Sequence, residues 1–157
     1  NNLGVALQLV GRHDEALAEA EQALALAPNF AEAHHGRGTV LRPLGRLDEA
    51  RQELERAIAL APRKAEFYRS LAEAKHFTDG DPHCAMIEAL ARDMGSLSDE
   101  ERIHLHFALG KIYDDLGQHE RGFSHLIDGN ALKRRQIAYD EEAVLARFDV
   151  TRALFSA

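Results

Sequence analysis

Apolar side chains recur at intervals of three and four residues along most of the chain, and no segment alternates between apolar and polar positions at a spacing of two. The first spacing places apolar residues on one face of an α-helix, whereas the second is typical of a β-strand. Glycines and prolines separate the helical segments. The pattern therefore predicts an all-α protein built from short amphipathic helices joined by tight turns.

Two stretches of the chain read as copies of each other. The first is HDEALAEAEQALALAP and the second is LDEARQELERAIALAP, so that the closing residues Pro28 and Pro62 lie 34 residues apart. This period, with small residues such as Gly38 and Ala50 at fixed offsets, resembles the tetratricopeptide repeat, a helix-turn-helix unit of about 34 residues. The resemblance implies a right-handed superhelical array of antiparallel helix pairs, with about four units and a C-terminal helix.

The positions of the glycines and prolines that separate the helices predict five segments. Two repeat units are expected at 1–28, which lacks the start of its first helix, and at 29–62. An irregular unit is expected at 63–97, a clearer unit at 98–138, and a capping or linker helix at 139–157. Because the sequence begins inside a predicted helix and without a methionine, we interpret it as part of a longer protein.

The irregular unit carries its own helix signals. Its first helix is expected to run to about Phe77, and Asp81 with Pro82 starts the next helix, because Asp caps free N–H groups and Pro tolerates the first helical position. Ser98 and Glu101 have the spacing of a capping box at the start of the following unit. The expected apolar positions of the second helix in the irregular unit are Ala85, Met86, Ala89 and Leu90.

Composition narrows the class of protein. The 157 residues are 45% hydrophobic and 29% charged, which suits a soluble helical protein with a continuous core. The net charge is −7 and the basic residues are scattered, so we expect no nucleic-acid partner. No apolar run approaches the roughly 20 residues that span a bilayer, so we expect no membrane partner. The single cysteine, Cys84, fits a reducing compartment, and the expected location is the cytoplasm.

A second resemblance covers roughly residues 67–155. The strings LAEAKHFTDGDP and IHLHFALGK are similar to the region just before the catalytic domain of bacterial proteins in which tetratricopeptide repeats are fused to a sulfotransferase. The resemblance implies a non-catalytic accessory domain for an enzyme that uses the sulfuryl donor PAPS. A phosphate cradle needs glycines around a helix N-terminus, and the close pair Gly36 and Gly38 lies inside a helix pattern. We therefore expect neither catalytic residues nor a cofactor in this chain.

The histidines lack the spacing of a helical metal site. His34 and His35 are adjacent and His104 and His106 are two residues apart, whereas ligands on one helical face are three or four residues apart. We therefore expect no metal. His106 is instead expected to pack at an aromatic position of its repeat, with His104 facing solvent or the groove.

Stacked repeats leave a concave surface lined by the first helix of each unit, and we predict that a protein or peptide partner binds there. Twelve residues at three- and four-residue spacing on one face of these helices form what we call the concave stripe: Glu32, His35, Thr39, Arg42, Glu66, Arg69, Glu73, His76, His104, Phe107, Lys111 and Asp114. In the first unit the same face would hold Asn1, Val5 and Gln8. The alternative is that these residues are only the solvated face of amphipathic helices.

The charges of the concave stripe nearly cancel, and its carboxylates argue against a clamp for acidic C-terminal tails. Its three histidines are expected to become positive as the pH falls through the unperturbed value of about 6.5. An acidic segment is then expected to bind more tightly on mild acidification. Exposed terminal helices also allow self-association.

Overall fold

The computed structural model describes residues 12–136. They form seven α-helices: α1 His13–Leu26, α2 Ala31–Leu41, α3 Leu47–Leu60, α4 Ala65–Ala74, α5 Pro82–Arg92, α6 Asp99–Asp115 and α7 His119–Gln136. One turn of 3₁₀-helix, Met94–Ser96, lies between α5 and α6. No strand occurs among residues 12–136, which confirms the all-α prediction. The predicted first-unit residues Asn1, Val5 and Gln8 and the predicted helix at 139–157 lie outside the described residues.

Two helix connections share one conformation. Gly45 between α2 and α3 has a φ angle of 75°, and Gly117 between α6 and α7 has a φ angle of 70°. Glycine tolerates this left-handed region because it has no Cβ. The amide that follows each glycine donates back across the turn, from Arg46 to Leu41 at 3.1 Å and from Gln118 to the Tyr113 carbonyl at 2.7 Å. The two turns are 72 residues apart in the sequence, so one hairpin geometry is used twice.

Close approach of the paired helices is also repeated. A Cβ placed on Gly38 of α2 would lie 2.7 Å from Leu54 Cγ on α3. A Cβ placed on Gly110 of α6 would lie 2.8 Å from Leu126 Cδ2 on α7. Both glycine–leucine pairs are again 72 residues apart. The absence of a side chain on these glycines therefore lets each pair of helices pack tightly.

A continuous buried cluster runs from α3 through α4 and α5 to α6. Ala50 and Ala57, which the repeat pattern places where helices meet, are fully buried. α4 lies at the centre of the cluster, and most of its apolar side chains are buried, including Phe67, Tyr68 and Leu71. Burial of these large side chains on both sides of α4 is the main source of cohesion between its neighbours.

The irregular unit differs from the prediction in two places. α4 ends at Ala74 and not near Phe77, because Phe77 leaves the helix to become buried and its N–H donates to Asp115 Oδ2 at 3.1 Å. α5 buries Ile87 and Leu90, so the prediction was right for Leu90 and missed Ile87. Three predicted positions, Ala85, Met86 and Ala89, are exposed. The side chain of Ile87 removes more apolar area from water than an alanine at a neighbouring position.

Helix caps tie the units together. Asp81 accepts a hydrogen bond from the His83 N–H at 3.0 Å, which confirms the predicted start of α5. Ser98 accepts from the Glu101 N–H at 3.2 Å. The Glu101 carboxylate reaches another helix and accepts from the Ala65 N–H at 2.7 Å. Glu101 on α6 thus caps the N-terminus of α4, where an anion is favoured by the helix dipole.

No helix within residues 12–136 combines the length and the apolar character that a membrane crossing requires.

Candidate partner-binding site

The concave stripe comes from three helices that lie side by side. The His35 ring on α2 stacks on Phe67 of α4 with ring centroids 4.6 Å apart, and its Nε2 lies 2.8 Å from Ser70 Oγ. Arg69 on α4 lies 3.4 Å from His104 Nδ1 on α6. The Arg69 guanidinium is also 5.2 Å from the centre of the Phe107 ring. Residues predicted from three separate units therefore lie on adjacent helices and contact one another.

Charged residues of the stripe form ion pairs with each other and with a neighbouring lysine. Glu73 forms an ion pair with Arg42, and its other oxygen lies 3.4 Å from Arg69 Nε. Near the start of α2, the stripe residue Glu32 has its Oε1 3.7 Å from Nζ of Lys64, the residue that precedes α4. All of these side chains are more than a third exposed. Exposed pairs of this kind contribute only about 0–1 kcal/mol, so a partner's charged groups can replace them at small cost.

The remaining polar residues of the stripe have local partners. Thr39 Oγ1 donates to the Gly36 carbonyl within α2 at 2.8 Å. His76 lies beyond the end of α4, and its Nδ1 is 2.9 Å from Asp115 Oδ1. Lys111 also forms an ion pair with Asp115. Asp115 is therefore a central anion of this region that the stripe did not include.

At the end of the stripe, Asp114 pairs with the start of α7. Its Oδ1 lies 2.7 Å from His119 Nδ1. Glu66 on α4 is exposed and acts electrostatically on both His35 and His104. The structure thus brings together stripe residues of α2, α4 and the first half of α6. Lys111 of α6 meets His76 through Asp115, whereas Asp114 pairs with α7.

Burial changes the expected response of the stripe to pH. Desolvation lowers the pKa of His35, although the nearby carboxylates of Glu66 and Glu32 oppose the shift. Desolvation also lowers the pKa of His104, again with Glu66 opposing it. The prediction that the three imidazoles become charged at the unperturbed value is therefore wrong for these two, which take up protons at a lower pH.

A groove of about 650 Å³ continues the surface between α6 and α7. Three stripe residues line it: Phe107, Lys111 and Asp114. On the α7 side it is lined by apolar residues that include Phe123 and Leu126. The groove therefore adds an apolar wall to a surface that is otherwise polar.

Within the part of the chain that the structure describes, no group of three or more His, Cys, Asp or Glu side chains could hold a metal ion. Gly36 and Gly38 lie within α2, as the sequence predicted. His106 is buried as predicted, with its Nδ1 3.1 Å from His125 Nδ1 on α7. Stacking, ion pairing and hydrogen bonding are what the surface offers to a ligand.

Comparison with known proteins agrees with this architecture. Residues 1–63 match the tetratricopeptide repeat family. A thermophilic TPR protein in Thermus thermophilus has a similar crystal structure, with a TM-score of 0.59 and 27% identity over 85% of this chain and 72% of that one. MamA from Desulfovibrio magneticus RS-1 aligns with a TM-score of 0.53 and 29% identity over 87% of this chain and 75% of that one.

A further crystal structure of MamA is 24% identical, with a TM-score of 0.58 over 83% of this chain and 74% of that one, and supports the fold alone. No curated protein matches the sequence. The family match thus covers the first 63 residues, and the all-α fold of the described residues is that of a tetratricopeptide repeat solenoid.

Proposed function

We propose that this chain is a scaffold for protein–protein interaction that binds a peptide or domain of a partner on the surface formed by α2, α4 and α6. The observation that supports the proposal most directly is the set of contacts from Arg42 through Glu73 and Arg69 to Phe107, which joins the three helices in one surface. Arrays of this kind present extended surfaces of side chains rather than a single enclosed pocket.

The proposed ligand is a segment with acidic and apolar side chains. A carboxylate of the partner would take the place of Glu73 beside Arg42 and Arg69, and an apolar side chain would pack on Phe107. Because the ion pairs are exposed, salt is expected to weaken the interaction. The lowered pKa of His35 and His104 means that any gain in affinity on acidification should occur below the unperturbed pH of about 6.5.

The unit boundaries and the wider context are part of the proposal. The proposed repeats are 29–62, 63–97 and 98–138, preceded by 1–28.

An accessory role beside a sulfotransferase domain is the alternative function. It is tested by the gene sequence that follows the codon for Ala157, where a buried strand and a phosphate-binding loop would support it.

A charge reversal tests the binding surface. Peptides would first be selected from a phage-displayed random library on the wild-type chain, and the affinity of one selected peptide would be measured by fluorescence anisotropy. Arg69→Glu should weaken binding about tenfold, which corresponds to about 1.4 kcal/mol. The matched control is Arg51→Glu, because Arg51 is a similarly exposed arginine on α3 whose nearest carboxylate, Asp48, is at 3.5 Å. Equal affinity of the two variants at low salt would contradict the proposed surface.

A further inference from the structure

α7 presents an apolar face to solvent. Phe123 is 65% exposed, Ile127 is 53% exposed and Leu126 is 36% exposed, and the three lie within one helical turn. Phe123 and Leu126 also line the groove between α7 and α6, together with Phe107. The face and the groove therefore form one apolar surface, and contiguous apolar surface of this kind marks an interaction site.

The equivalent surface of the α2–α3 hairpin is covered. Leu54 corresponds to Leu126, 72 residues later, and each packs on its glycine in the partner helix. Leu54 is 0% exposed and belongs to the same buried cluster as Phe67 and Leu71 of α4. His35 likewise corresponds to Phe107, and the His35 ring is covered by Phe67. In this hairpin the helix that follows in the sequence covers the leucine and the ring.

The sequence after α7 has the properties of such a covering helix. α4 begins five residues after α3 ends, and an amphipathic pattern begins at residue 140, four residues after the last residue of α7. Its apolar positions include Ala143, Val144, Val150 and Leu154. Sixteen helical residues span about 24 Å, close to the length of α7. A segment tethered so closely is present at a high effective concentration compared with a second copy of the chain.

We propose that residues 140–155 of this chain pack against Phe123, Leu126 and Ile127 and enter the groove beside Phe107. Charge agrees with this occupant, because the segment begins with three acidic residues and α7 has three basic ones in its last turn. The segment would cover the apolar end of the concave stripe and leave Arg42, Arg69 and Glu73 open to a partner. The inference does not depend on the proposed function, since it concerns contacts within the chain.

The absence of tryptophan from the sequence allows a direct test. Phe123→Trp in the full chain introduces a single indole on the proposed interface. If the segment covers α7, the indole emission is blue-shifted and poorly quenched by acrylamide, and both properties are independent of protein concentration. If the emission is that of a solvated indole and acrylamide quenches it efficiently, the proposal is wrong.

A second substitution in the same chain identifies the occupant. Val150→Glu should shift the emission of the Phe123→Trp chain to longer wavelength and increase quenching, because it places a charge on the apolar side of the segment. Arg152→Glu is the control, because it introduces the same side chain two residues away on the polar side and should leave the emission unchanged. Far-UV circular dichroism checks that both chains remain folded.

Other occupants give different results. A blue shift that grows with protein concentration, together with dimers in sedimentation velocity, would show that a second copy covers α7 and would overturn the proposal. A blue shift that Val150→Glu and Arg152→Glu leave equally unchanged would overturn it as well. Loss of peptide binding by Arg69→Glu is measured separately, so failure here and failure of the proposed function are distinguishable.

Discussion

Two equivalent helix junctions contain different pairs of side chains. In the α2–α3 hairpin, His34 Nδ1 lies 2.6 Å from Glu53 Oε2. At the corresponding positions of the α6–α7 hairpin, 72 residues later, His106 Nδ1 lies 3.1 Å from His125 Nδ1. In this second pair one ring nitrogen donates a hydrogen bond and the other accepts it, which requires at least one neutral ring. Two positive imidazoles would have no acceptor nitrogen and would repel each other. A carboxylate at the second position would instead attract a positive ring.

The surroundings of the histidine pair do not remove this difference. Burial lowers the pKa of His106, and the carboxylate of Asp128 on α7 opposes the shift. Burial also lowers the pKa of His125, reinforced by His106 and Arg121 and opposed by Asp128. The His125 ring stacks on Tyr113 of α6 with centroids 5.5 Å apart. Both imidazoles are therefore held towards the neutral form.

Other charged groups at this junction come from three elements. The Tyr113 hydroxyl donates to Glu88 of α5 and accepts from Arg121 of α7, each at 2.8 Å. On the opposite side, a cavity of about 410 Å³ beside His106 is also lined by Arg102 of α6 and Arg135 of α7. Asp128 of α7 lines the same cavity, and its carboxylate opposes the lowering of the pKa of both histidines.

The sign of the effect follows from the lowered pKa values. Above the unfolded value of about 6.5 the contribution of the pair to stability is fully present. As the pH falls below 6.5 the unfolded chain takes up protons that the folded chain does not, so stability falls. If one histidine stays neutral in the folded chain, the free energy of unfolding falls by at most about 2 kcal/mol between pH 6.5 and pH 5. His125 is only partly buried, which reduces its share.

The perturbation is His125→Glu, which recreates the arrangement of His34 and Glu53. Between pH 7.5 and pH 5.0 the wild-type chain should lose about 1 kcal/mol more stability than this variant. The measurement is urea unfolding followed by far-UV circular dichroism at the two pH values. His125→Gln is the control, because it removes one imidazole without adding a charge and should lie between the other two. Equal losses for the wild type and His125→Glu would refute the reasoning.

Two further predictions concern packing and capping. Gly38→Ala should destabilise the chain by about 1–3 kcal/mol, because the new methyl group would overlap Leu54 on α3. The control is Gly95→Ala, because no atom lies within 4 Å of the new Cβ there. Similar urea midpoints for the two variants would contradict the packing argument. Glu101→Ala should cost about 0.5–2 kcal/mol through loss of the cap on α4 and should increase amide hydrogen exchange in the first turn of that helix, whereas unchanged exchange there would show that the cap does not hold it.

Local information in the sequence was sufficient for the helical class and the repeated hairpins. Apolar spacing predicts which residues share a helical face, and the glycines that need a left-handed φ angle or a close helix approach recur at constant offsets. Ile87 and Phe77 show where this reasoning stops. Their burial depends on the position of α6 relative to α4 and α5, and no spacing within either short segment records that position.

The same division holds for the candidate site. The position of Arg69 and Glu73 on one face of α4 follows from helical periodicity alone, because residues four apart lie on the same side of a helix. That Glu73 bridges Arg42 and Arg69, and that Asp115 receives His76 and Lys111, was decided only by the packing of α2, α4 and α6. Distances between helices depend on side-chain volumes summed over the whole interface, and the protonation of a buried histidine depends on every group that surrounds it.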